Sequence, residues 1–217
     1  MRDAYTDQLD SIRQDLVTMS RLVRVAVGDA TTALLEGDAE LAEKVISRDS
    51  QVDAMRIKIE DDSFELLSLQ NPVAGDLRML VASLRMVSEF ERMGDLSVHV
   101  AKIARLRVPE IAVPEQIVPT IARMAAVAEV MVGKVEYIIA ASDVAAAEEL
   151  EEVDEEMDRL RRSSFRELLG ADWKHGVEPA VDIALLGRYY ERIADHAVSI
   201  ARRVVFLVTG EHPTYVS

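Results

Sequence analysis

Four short motifs each place two acidic residues four positions apart. Asp49-x-x-x-Asp53 and Glu91-x-x-x-Asp95 lie in the first half of the chain, and Asp154-x-x-x-Asp158 and Glu191-x-x-x-Asp195 lie in the second half. Residues four apart share one face of a helix, so each motif presents two carboxylates side by side. Carboxylate oxygens are suitable ligands for iron, manganese, magnesium or zinc, and they can bridge more than one ion. The motifs therefore predict oxygen-rich metal sites.

The neighbours of the acids at 91–95 and 191–195 are mainly small or apolar; Val98, for example, lies one turn after Asp95 and two turns after Glu91. We therefore expect Glu91, Asp95, Glu191 and Asp195 to be partly buried. Like charges in that setting repel each other and lose hydration, which favours a compensating cation. In the alternative interpretation, Arg92, Arg192 or other basic side chains neutralise the acids as ion pairs, and no metal binds.

The helices that must carry the motifs are indicated by apolar residues at helical spacing. Only 9 glycines and 6 prolines interrupt the 217 residues, and Asp38 and Asp143 are placed to cap helix starts. We predict helices over about residues 3–36, 38–70 and 72–107, then one ending near 141, and two more over about 143–170 and 179–208. The fold class predicted is all-α, with six long helices in two tandem three-helix bundles, residues 1–108 and 109–217.

An internal repeat supports two bundles. Residues 91–95, Glu-Arg-Met-Gly-Asp, match residues 191–195, Glu-Arg-Ile-Ala-Asp, at an offset of 100, and the motif at 49–53 matches that at 154–158 at an offset of 105. Such self-similarity is the signature of a duplicated structural unit. The two halves should therefore share one construction.

Hairpin geometry brings the motifs together within each half. If the second and third helices are antiparallel around a break near Pro72, residues at equal distance from the break lie at one level. Asp53 and Glu91 are each 19 residues from Pro72, and Asp49 and Asp95 are each 23 residues from it. The same construction in the second half centres the turn near residue 174. Four carboxylates should converge in each half.

Charge and composition exclude several function classes. The net charge is −14, which disfavours nucleic acid and anionic membranes, and the chain has no cysteine for thiolate metal sites. Its first residues lack a signal-peptide pattern, and no apolar stretch reaches the length of a membrane span. We expect a cytoplasmic protein. It also lacks a P-loop, a kinase motif, a nucleophile elbow and a metalloprotease motif, so no enzyme signature stands out.

Three segments carry a resemblance to the PhoU family, which extends over nearly the whole chain: residues 72–78 (Pro-Val-Ala-Gly-Asp-Leu-Arg), 91–95 and 191–201. The resemblance implies two three-helix bundles that bind multinuclear metal clusters, commonly of iron or zinc. It implies ligand roles for the eight motif acids, Asp49, Asp53, Glu91, Asp95, Asp154, Asp158, Glu191 and Asp195.

The chain departs from the family pattern beside each motif. The family often has His after the motif Asp and Asn four residues after it, whereas this chain has Leu96 and His99 in the first repeat and His196 and Ser199 in the second. His99 lies one turn beyond Asp95 and is a possible additional ligand. His196 points away from Asp195, which favours an outer-shell or interface role over direct ligation.

The resemblance further implies a function without catalysis. PhoU-like proteins are negative regulators of the phosphate-starvation response that link the ATPase of a phosphate ABC transporter to a sensor histidine kinase. A homodimer is expected, with membranes reached only through protein partners. The alternative is a di-metal carboxylate enzyme, such as an oxidase or ferroxidase, but the Glu-x-x-His pairs typical of that class are absent from the motif helices.

Overall fold

The protein is helical throughout the part of the chain that the computed structural model describes, residues 2–70 and 72–211, and this part has no strand. A short 3₁₀ turn, Glu115–Ile117, precedes the fourth helix. The six helices are α1 Arg2–Glu36, α2 Ala39–Gln70, α3 Gly75–Arg107, α4 Val118–Ala141, α5 Val144–Leu168 and α6 Val177–Thr209. The predicted all-α class with six long helices is confirmed. None of these helices combines the length and apolar character needed to cross a membrane.

Local sequence explains where the helices begin. Gly37 adopts a left-handed φ of 69°, which turns the chain after α1. The Asp38 carboxylate then accepts a hydrogen bond from the Leu41 backbone N–H at 2.9 Å, and Asp143 accepts one from the Ala146 N–H at 3.0 Å. Both predicted N-caps are confirmed.

The two hairpin turns differ from the predicted boundaries. The third helix was expected to start near Pro72, but α3 begins at Gly75 because Ala74 takes a positive φ of 48° that is incompatible with a helix. Asn71, the other residue of the predicted break, lies outside the described residues. In the second half α6 begins before Pro179, which is tolerated in a first turn because its missing N–H has no helical partner there.

Each half folds as a three-helix bundle. Helices α1, α2 and α3 pack against one another, as do α4, α5 and α6, and the pairs α2/α3 and α5/α6 are the two hairpins. The matching order of elements confirms the tandem architecture.

The two bundles share one continuous core, because α1 packs on α4 and α3 packs on α6. The α3/α6 pair is antiparallel: Arg107, at the end of α3, bonds Asp182 near the start of α6 at 2.6 Å, whereas Glu89 bonds Arg203 near the end of α6 at 2.9 Å. The equivalent side chains Phe90 and Tyr190 are both fully buried in this core. The repeats are thus related by an approximate twofold axis between α3 and α6.

Candidate metal centres

The eight motif acids form two groups in the hairpins. The first cluster comprises Asp49 and Asp53 on α2 with Glu91 and Asp95 on α3; the second cluster comprises Asp154 and Asp158 on α5 with Glu191 and Asp195 on α6. Each cluster lies well away from its hairpin turn, at the level that equal spacing from the turn predicts.

The pKa of Asp49 indicates that the four acids of the first cluster lie close together. The pKa of Asp49 is raised by burial and then by the negative charges of Asp53, Asp95 and Glu91, with Lys102 opposing the shift. All three other members therefore act on one carboxylate across two helices.

The second cluster has the same arrangement, and the rise in the pKa of its corresponding aspartate, Asp154, is large. The pKa of Asp154 is raised to about 6 by burial and then by Asp195, Asp158 and Glu191, with Arg202 opposing. The convergence predicted for both halves is confirmed. The opposing cations also correspond, since Lys102 and Arg202 are 100 residues apart.

Burial differs from the expectation for two of the four acids in the motifs at 91–95 and 191–195. Glu91 is partly buried and Glu191 is buried, as predicted, and Asp49 and Asp154 are also partly buried. The prediction is wrong for Asp95 and Asp195, which are exposed, and Asp53 and Asp158 are exposed as well. The reason is that the clusters lie along the outer rim of the groove between paired helices and not inside a bundle. Solvent ions can therefore reach them.

The glutamates are held by arginines. Glu91 lies 3.3 Å from Arg56. Glu191 accepts a hydrogen bond from Arg161 at 2.7 Å and a further contact from Arg188. Arg162 lies 3.9 Å from Asp158. Ion pairing therefore involves one acid in the first cluster and two in the second, which is part of what the alternative interpretation expects.

The arginines involved are not those that the sequence suggested. Arg92 and Arg192 are exposed, and neither forms an ion pair within the described residues. The actual partners, Arg56 and Arg161, each follow the second motif acid of their helix by three residues and correspond at the offset of 105. Extending the repeat comparison three residues beyond Asp53 and Asp158 would have found them.

The donor set fits hard or borderline cations, since it offers only carboxylate oxygens and lies open to solvent. As the side chains stand, no three acidic or imidazole groups among the described residues enclose a position for an ion. Binding would require the carboxylates to rotate inward. Glu91 would also have to leave Arg56, and Glu191 would have to leave Arg161 and Arg188.

The two histidines lie at the α3/α6 interface. His99 stacks on Tyr189 with ring centroids 5.4 Å apart, and its ligand role stays a prediction. His196 Nδ1 lies 2.7 Å from Glu89, which also accepts from Arg203. Burial alone would raise the pKa of Glu89, but these two partners lower it. His196 therefore lies between the two repeats, and its outer-shell or interface role stays a prediction.

Comparison with known proteins agrees with this architecture. The family model described as "PhoU domain" matches residues 16–104 and 121–204, one match in each half. The phosphate-specific transport system accessory protein PhoU homolog 2 of Mycobacterium tuberculosis is 45% identical over 213 residues, 98% of this chain and 100% of the relative. PhoU homolog 1 of Mycobacterium leprae is 43% identical, covering 98% of this chain and 96% of its own length.

Solved structures show the same fold. The crystal structure of PhoU from Pseudomonas aeruginosa superposes with a TM-score of 0.89 at 28% identity, covering 95% of this chain and 100% of that one. The phosphate transport system regulatory protein PhoU from Streptococcus pneumoniae gives a TM-score of 0.87 at 25% identity, covering 97% and 99%. None of these descriptions names an oxidase or ferroxidase. With both repeats matched and relatives similar over their full length, the chain belongs to the PhoU family.

Proposed function

We propose that this chain is an accessory protein of phosphate transport that represses the phosphate-starvation response. In this role it links the ATPase of a phosphate ABC transporter to a sensor histidine kinase, docking on their cytoplasmic parts. The observation that carries the proposal is end-to-end similarity, at 45% identity, to a protein named as an accessory of the phosphate-specific transport system.

Deletion of the gene tests the regulatory role. Without the repressor, a reporter fused to a phosphate-starvation promoter should stay on in phosphate-rich medium, and the wild-type gene supplied in trans should switch it off. An unchanged reporter, in a strain without a second copy of this family, would contradict the proposal.

We further propose that the two clusters bind iron or zinc, with ligands drawn from Asp49, Asp53, Glu91 and Asp95 and from Asp154, Asp158, Glu191 and Asp195. Support comes from the raised pKa values of Asp49 and Asp154, because crowded carboxylates are relieved by a cation. A bound ion would draw the two helices of each hairpin together. It would also shape the surface presented to partners.

Elemental analysis tests the metal. Protein purified without chelator should contain iron or zinc, and a double variant Asp95→Asn/Asp195→Asn should lose most of it. Asp172→Asn, an exposed acid in the loop before α6, is the matched control and should retain the metal. Equal metal in all three proteins would contradict ligand roles for these carboxylates.

Self-association as a homodimer completes the proposal and follows from the family resemblance. Sedimentation equilibrium of the purified chain should give twice the mass of 24.1 kDa. A monomer at micromolar concentration would contradict the proposed homodimer and would leave the proposed regulatory and metal-binding roles standing.

A further inference from the structure

A pocket opens on the first bundle between α1 and α2, next to the first cluster. Its volume is about 140 Å³. Its walls are apolar side chains from three helices: Leu22, Val25 and Ala26 from α1, Val45 and Val52 from α2, and Val98 from α3. An apolar cavity of about 150 Å³ is large enough to hold benzene. The pocket can therefore take an apolar group of about that size.

The internal repeat identifies the positions in the second bundle that correspond to this pocket. Helices α1 and α4 match at an offset of 105, because they make the same contact from each side of the approximate twofold axis. A methyl group on Gly28 would lie 3.8 Å from Glu129, and one on Gly133 would lie 3.5 Å from Arg24. The offset between α2 and α5 is also 105, as the acidic motifs show.

Three wall positions of the pocket carry larger side chains in the second bundle. At the offset of 105, Ala26, Val45 and Val52 correspond to Met131, Leu150 and Met157. These three larger residues are fully buried, whereas Ala26 is only partly buried. The side chains that would fill the pocket are thus present in the second bundle and missing from the first. The shared fold alone therefore does not require this pocket.

The polar side chains that line the pocket give it a negative charge. They are Asp29, Arg48, Asp49 and Gln51. Arg48 and Asp29 pair with each other at 3.2 Å, whereas Asp49 forms no ion pair within the described residues. The other three acids of the first cluster also act on Asp49 through their charges, with Lys102 opposing them. A cation beside Asp49 is therefore favoured.

Ligands of other charge fit the pocket less well. An anion is disfavoured because Arg48 already pairs with Asp29, and because Asp29 and Asp49 both repel it. A neutral apolar molecule would fill the walls but would leave the charge of Asp49 without a partner. An ammonium group donates charge-assisted hydrogen bonds to a carboxylate, and such bonds are stronger than those between neutral groups. A cationic head on an apolar body therefore matches both parts of the pocket.

We propose that this pocket binds a small organic cation, in which an ammonium group is attached to an apolar group of about the size of a benzene ring. The apolar group lies among Ala26, Val45 and Val52, and the ammonium faces Asp49. The inference does not rest on the proposed function. Because Asp49 is also a proposed metal ligand, the tests use the full chain after removal of metal with chelator.

The first test compares ligands of one shape and different charge. The probe is 2-phenylethylamine, with 2-phenylethanol and phenylacetate as its neutral and anionic analogues. Titrations followed by the NMR signals of valine methyl groups measure the affinities. The amine should bind at least about tenfold more tightly than either analogue. Equal affinities for the amine and the alcohol overturn the cationic assignment, and no binding of the amine at millimolar concentration overturns the site.

The second test fills the pocket with the methionines of the second bundle. The double variant Ala26→Met/Val52→Met should weaken binding of 2-phenylethylamine by at least about tenfold, because the apolar group loses its space. The matched control, Ala126→Met/Val130→Met, makes the same changes at exposed positions of α4 and should leave the affinity unchanged. Circular dichroism checks that both variants are folded. Unchanged affinity in the filled variant overturns the location of the site.

The third test removes charge and keeps shape, so it remains available if the filled variant does not fold. Asp49→Asn should weaken binding of the amine by about tenfold and leave binding of 2-phenylethanol unchanged. Asp61→Asn, at an exposed position of α2, is the control and should change neither. Equal losses for the amine and the alcohol overturn the role of Asp49. Loss of self-association in the filled variant, without amine binding to the wild type, assigns the pocket to a second copy of the chain instead.

Discussion

Glu91 and Glu191 occupy equivalent positions in the two hairpins, but their surroundings differ. Glu91 has one arginine, Arg56, at 3.3 Å, and its side chain is 33% exposed. Glu191 has two, Arg161 at 2.7 Å and Arg188, and its side chain is 10% exposed. The additional arginine reflects a single change between the repeats, since residue 88 is serine where residue 188 is arginine.

The two repeats therefore share the same carboxylates, but the arginines that surround these carboxylates differ. In the second cluster, two guanidinium groups already neutralise the glutamate, so an ion must displace both. In the first cluster an ion must displace only Arg56, whose distance from Glu91 is longer than that of Arg161 from Glu191. We therefore expect the first cluster to bind metal more tightly than the second, although the motifs have the same spacing.

The largest effect concerns the core beneath the clusters, where Phe90 and Tyr190 are equivalent. Phe90→Ala should lower the free energy of unfolding by about 3–5 kcal/mol, because it empties a fully buried aromatic site. Tyr190→Phe is the milder test in the other half. It removes only the hydroxyl that bonds Thr31 at 2.8 Å, and should cost about 1 kcal/mol.

Urea unfolding of both variants measures these values. Because the core is continuous, Phe90→Ala should lower the midpoint of a single transition for the whole chain. Two separate transitions would show that the repeats unfold independently, which would contradict the shared core.

Exchanging the serine and the arginine should reverse the difference between the clusters. Arg188→Ser removes one competitor for Glu191 and should strengthen metal binding at the second cluster by about tenfold, since a charge-assisted contact contributes about 1–2 kcal/mol. Ser88→Arg should weaken the first cluster by a similar factor.

Calorimetric metal titration measures the affinity of one cluster at a time. Asp195→Asn disables the second cluster while the first is measured, and Asp95→Asn disables the first while the second is measured. Arg166→Ser, on the exposed side of α5, is the control and should change neither affinity. If Arg188→Ser has no effect on the second cluster, the extra arginine does not compete with metal.

The pH dependence of stability should report the second cluster. The pKa of Asp154 is raised to about 6, so the native state holds this proton more tightly than the unfolded chain does. Its contribution to stability is complete below a pH of about 4 and is lost as pH rises through about 6. Metal-free protein should therefore become less stable across this interval.

Asp154→Asn should abolish this loss of stability with rising pH and raise the melting temperature at pH 7 by about 2–4 °C. This shift corresponds to about 1 kcal/mol after discounting for the partial exposure of Asp154. Thermal scans between pH 4 and pH 8 in the presence of chelator measure this. Asp49→Asn should act in the same direction by less. A wild-type melting temperature that rises from pH 4 to pH 7 relative to that of Asp154→Asn would contradict the assigned sign.

The smallest effect is expected at Gly94, which stands where the second repeat has Ala194. A methyl group at position 94 would lie 3.2 Å from Asp49 Oδ1 and 3.4 Å from Val52 Cγ1, so α2 approaches α3 closely here. Gly94→Ala gains up to about 1 kcal/mol of helix propensity, which this crowding offsets. Stability should change by less than about 0.5 kcal/mol, and crystallography should show Asp49 displaced. An unmoved Asp49 would show that the close approach does not position it.

The sequence predicted most of the fold because apolar residues at helical spacing and capping residues such as Asp38 act locally. Counting from Pro72 placed the four first-cluster acids correctly even though α3 begins at Gly75, since an antiparallel hairpin keeps equal distances level. Arg56 was missed because the repeat comparison stopped at Asp53, although Arg161 matches Arg56 at the same offset of 105. The contact of His196 with Glu89 joins the two repeats, and no local pattern encodes it.

The antiparallel contact between α3 and α6 has a consequence for the origin of the chain. Each repeat packs one side of its inner helices on the other repeat, so a half on its own would leave that side open to an identical copy about a dyad. The segment that joins α3 to α4 makes this contact intramolecular, which gives it a high effective concentration. Once the copies were covalently joined, they no longer had to be identical. A change such as serine to arginine could then be accepted on one side of the axis alone.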